Sequence, residues 1–62
     1  MPRLYKILIV GPQHLEIPNR RLFDLIEFGP NADELDAIAD LRVGEALDYH
    51  IFLDEYRVTR TS

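Results

Sequence analysis

The sequence predicts a small α+β domain of order β-β-α-β-β, with one amphipathic helix packed on an antiparallel or mixed sheet. Three observations carry this: a β-prone run from Leu4 to Val10, a capped helical pattern opening at Asn31, and a return to period-two alternation after Gly44. At 62 residues the chain reads as a single small acidic domain, 1–62, since a domain of this size buries only about 60% of the surface its unfolded chain exposes.

The first strand reads as Arg3 to Val10, ended by the breaker pair Gly11-Pro12. Its apolar residues are continuous rather than alternating. That predicts a central strand covered on both faces, by a helix on one side and a partner subunit on the other. From Gln13 to Asn19, Leu15 and Ile17 alternate with His14 and Glu16, which predicts a short irregular or edge segment before a turn at Pro18-Asn19.

Arg21 to Phe28 fits two patterns. A helix from Asn19 gathers Leu22, Phe23, Leu25 and Ile26 on one side, whereas a strand alternates Leu22, Ile26 and Phe28 against Phe23 and Leu25. The strand is preferred, because Arg20 and Arg21 would lie against the positive end of a helix dipole.

The spacing predicts a helix over 32–42. Asn31 is an N-cap with Glu34 in capping-box position, Asp33 and Glu34 complement the dipole, and Gly44 is a stop signal. Leu35, Ile38, Ala39 and Val43 fall on one side of this helix, with Asp33, Asp36 and Asp40 opposite.

Beyond Gly44, Leu47, Tyr49, Ile51 and Leu53 share one strand face, and Tyr56 to Arg60 reads as the last strand. A turn at Asp54-Glu55 sets Leu53 against Tyr56, Ile51 against Val58 and Phe52 against Arg57, the last pair forming a cation–π contact. Asp-Glu is a poor hairpin turn, because neither residue readily takes positive φ. A helical alternative over 45–57, seamed by Ala46, Tyr49, Phe52, Leu53 and Tyr56, therefore stays open.

The net charge of −4 hides an asymmetry. Residues 24–55 hold ten of the eleven acids and only Arg42 among the bases, whereas the first 23 residues carry four bases against Glu16. The expected working surface is acidic: Asp33, Asp36 and Asp40 on the helix, with Asp48, Asp54 and Glu55, docking on a basic patch of a partner protein. The plain alternative is that a helix needs a solvated face. Against it stand Asp36 and Asp40, like charges four residues apart with no lysine on that face to relieve them.

Catalytic equipment is not in view. There is no cysteine and Ser62 is the only serine; His14 and His50 lack motif neighbours, and Gly11 stands alone where a phosphate loop needs several glycines. Three carboxylates on a convex helix give a cation no enclosure, so neither metal nor cofactor is expected. The expectation is thus a non-enzymatic regulator, adaptor or inhibitor.

Two alternatives come from other classes. One is a structural homo-oligomer in which the first or last strand pairs with its copy. The other is nucleic-acid binding through Arg20, Arg21, Arg57 and Arg60, against which the chain's acidity weighs. The longest aliphatic run, Ile7-Leu8-Ile9-Val10, is far too short to span a membrane, and no apolar signal stretch opens the chain. Lack of cysteine fits the reducing cytoplasm.

Overall fold

A computed structural model describes residues 3–62. The elements are β1 (Tyr5–Val10), β2 (His14–Arg20), a 3-10 helix η1 (Leu22–Phe28), α1 (Ala32–Ala39), β3 (Ala46–Ile51) and β4 (Asp54–Arg60). The strands form one antiparallel sheet of order β2-β1-β4-β3, with both helices on one face. The α+β class and the β-β-α-β-β order hold, and the second strand is 14–20 rather than 21–28.

β1 is central, as its apolar run predicts, but only one of its faces is covered. Tyr5 and Ile7 are buried beneath the helices, whereas Lys6, Leu8 and Val10 on the other face stay partly or largely open. The first and last strands are β1 and β4, each flanked on both sides, so neither can pair with a copy. The free edges belong to β2 and β3.

The segment after β2 is helical because its core positions recur every third residue. Leu25 is fully buried and Leu22 and Phe28 are packed beside it, a spacing that matches three residues per turn. The arginine objection fails locally: the Asp24 carboxylate accepts the Arg21 N–H at 3.2 Å, placing a negative charge in the first turn. Gly29, at φ 82, ends the helix, its N–H bonded to the Ile26 carbonyl.

α1 opens with the expected capping box, Glu34 N–H to Asn31 Oδ1 and Asn31 N–H to Glu34 Oε1, both 2.8 Å. It stops at Ala39 rather than 42 because side chains from elsewhere take up its last carbonyls. Tyr5 donates to Ile38 O and Arg3 to Ala39 O, and just beyond the helix Arg60 donates to Leu41 O at 2.9 Å. The two guanidinium groups also complement the negative end of the dipole. Val43, expected on the apolar helix side, lies past the helix and is 61% exposed.

The last hairpin turns at Phe52-Leu53, not at Asp54-Glu55. The resulting register pairs Ile51 with Asp54, Tyr49 with Tyr56, Asp48 with Arg57 and Leu47 with Val58. The expected Phe52–Arg57 contact is therefore replaced by an Asp48–Arg57 ion pair and a Tyr49–Tyr56 stack. Apolar burial chose this register: Tyr5, Ile7, Leu25, Ile38, Tyr49 and Val58 together form the core.

Candidate functional site

The 3-10 winding that buries Leu25 and packs Leu22 and Phe28 beside it also sets Phe23 and Ile26 in a second row along the outside of η1. α1 runs beside it, and between them lies an apolar groove lined by Leu22, Phe23, Ile26, Leu35 and Ala39, with Asp36 on its rim. Phe23 is 81% and Ile26 53% exposed. Large apolar side chains left open together, beside a charged rim, have the composition of an interaction surface.

Asp33 and Asp36 on α1 and Asp40 at its C-cap are exposed, as expected, and Asp36 joins them to the groove. The other acids lie elsewhere. Asp54 sits at a sheet corner near Pro12, Leu15 and Tyr56, while Asp48 and Glu55 point from the open face of the sheet. The six expected binding acids thus divide between opposite sides of the molecule, because strand alternation sends Asp48 and Glu55 away from the helices.

Asp48 is also occupied. Arg57 grips it with Nε and Nη2 at 2.8 and 3.0 Å, and this hydrogen bonding holds its carboxyl below the usual carboxylate range. Both partners are solvated, so the pair orients the face more than it stabilises the fold.

The arginines assemble no basic surface. Arg20 at the end of β2 and Arg21 just before η1 lie exposed, Arg57 is paired on the open face, and Arg60 is turned to the carbonyls of Leu41 and Ser62. Among the described residues, no three His, Cys, Asp or Glu side chains are placed to hold a metal ion, and no helix is long and apolar enough to cross a membrane.

Sequence reasoning missed the groove. Its signal was present in the threefold spacing of Leu22, Leu25 and Phe28, which neither the strand period of two nor the α-helix period of 3.6 picks out. The chain matches no protein-family model, no curated protein and no solved structure.

Proposed function

We propose that this chain is a non-enzymatic, cytoplasmic protein-binding module whose η1/α1 groove accepts an amphipathic, basic segment of a partner protein. The observation that carries this is the exposure of Phe23 and Ile26 in a groove rimmed by Asp36, on the helix that also bears Asp33 and is capped by Asp40. Apolar anchors seated in such a groove supply affinity, and the acids supply steering and orientation toward lysine or arginine. Absence of cysteine supports the cytoplasmic setting.

The test uses a synthetic helical peptide with leucine on one face and lysine on the other, titrated into isotope-labelled protein and followed by amide chemical shifts. Shifts confined to the groove, weakened by salt and by Asp36→Asn with Asp40→Asn, and lost in Phe23→Ser, are expected. Equal binding of the same peptide with glutamate in place of lysine, or shifts scattered over the sheet, would refute the reading.

A further inference from the structure

The two free sheet edges differ in how they meet solvent. Neighbouring residues of an antiparallel strand alternate between bonding one side and the other. Arg60 N–H donates to Glu45 O across β3 and β4, which fixes that alternation. Leu47, Tyr49 and Ile51 then bond to β4, and Ala46, Asp48 and His50 present their backbone N–H and C=O outward.

On the other edge, the outward positions of β2 are His14, Glu16 and Pro18. Pro18 has no N–H, the β1–β2 register slips beside it, and Asn19 takes φ 59. A proline and a bulge are devices that close an edge to further pairing. β3 has neither: its register to β4 is unbroken, and Ala46, Asp48 and His50 are all exposed.

We infer that the β3 edge pairs antiparallel with β3 of a second copy of this chain, about a two-fold axis at Tyr49, joining two four-stranded sheets into one. Centring on Tyr49 or on Asp48 overlaps most of both six-residue strands, and charge chooses between the two. Centring on Tyr49 sets Asp48 opposite His50 of the second copy, twice by symmetry, and sets Leu47 opposite Ile51, also twice. Centring on Asp48 would instead oppose two carboxylates, which destabilises a cross-strand pair.

In the Tyr49-centred register each Asp48–His50 pair exchanges both of its outward backbone hydrogen bonds. The Asp48 carboxylate keeps lone pairs beyond those that Arg57 uses, and His50 stands between it and Glu55 of its own chain. Leu47 and Ile51, half-buried at the margin of the core, become covered. Association of this kind is a usual source of stability for a domain with so small a core.

The inference stands apart from the groove and is tested separately. Sedimentation equilibrium from micromolar to millimolar protein should show a monomer–dimer equilibrium. Amide exchange of Asp48 and His50 should slow as dimer forms, while Leu47, Tyr49 and Ile51 are protected throughout. His50→Pro removes an outward donor and the imidazole but no backbone bond to β4, so it should leave a folded chain that stays monomeric. If that variant fails to fold, His50→Asp serves, with dimerisation weakened at least about tenfold as two attractive pairs become repulsive. Phe23→Ser should dimerise unchanged. A monomeric mass up to millimolar concentration, or a dimer whose Asp48 and His50 amides exchange as fast as in the monomer, would overturn the inference.

Discussion

The ring of Tyr49 lies flat on that of Tyr56, centroids 4.9 Å apart and planes 5° from parallel, and its hydroxyl donates to the Phe28 carbonyl at 3.0 Å. One side chain on the edge strand thus ties β3 to β4 and to the end of η1. Because Tyr49 is only 5% exposed, burial, with smaller contributions from Tyr56 and Glu34, pushes its phenol from 10.0 up to about 12.

That shift predicts an alkaline transition. A group whose pKa is raised on folding contributes stability that is complete below its unfolded value and is lost as pH rises toward the folded one. For Tyr49 the window runs from pH 10.0 to about 12, and roughly 2 to 3 kcal/mol is at stake. Tyr49→Phe should cost about 1 kcal/mol at neutral pH through the lost hydrogen bond, yet show a flatter decline above pH 10.0. Urea melts at neutral and alkaline pH measure both.

Gly29 and Gly44 separate conformational strain from steric conflict. Both have positive φ, 82 and 92. A Cβ on Gly29 would lie 2.5 Å from Ile51 Cδ1, while one on Gly44 would meet nothing within 4 Å. Gly44→Ala should therefore cost about 1 kcal/mol from the left-handed backbone alone. Gly29→Ala should cost more, because Ile51 must move. Thermal melts of the two variants give the comparison, and equal losses would show that Ile51 yields freely.

Phe52 is 94% exposed and holds φ 54 at the first position of the β3–β4 turn. Glycine suits this position in a two-residue hairpin, where a large side chain is strained. Phe52→Gly should raise the stability by up to about 1 kcal/mol, the relief of strain exceeding glycine's entropic cost. An upward shift in Tm checks it.

Asp40 caps the C-terminal end of α1, where the helix dipole favours a cation, and repels Asp36 one turn earlier. Asp40→Lys should stabilise the fold by about 0.5 to 1 kcal/mol at low salt while weakening capture of the lysine-bearing peptide. Denaturation and peptide titration of the same variant read both effects. A stabilised variant with undiminished binding would remove Asp40 from the working surface.

The residues alone determined the α+β class, the central first strand and the start of the helix, because these rest on local signals: an apolar run, an N-cap and a capping box. They also placed Asp33, Asp36 and Asp40 together, since a helix converts spacing directly into a shared face. Tertiary structure decided what local signals leave degenerate. It wound Leu22–Phe28 as a 3-10 helix to bring Leu25 into the core, and it ended α1 early by supplying Arg3, Tyr5 and Arg60 to the carbonyls at and just beyond its end. It also moved the hairpin turn to Phe52-Leu53, accepting a strained backbone to put Tyr49 and Val58 inside. The reason is common to all three: burying six side chains in one core outweighs propensities worth about 1 kcal/mol or less each. The same packing sent Asp48 and Glu55 to the face opposite Asp36 and left the β3 edge open, and neither outcome is written in residue spacing.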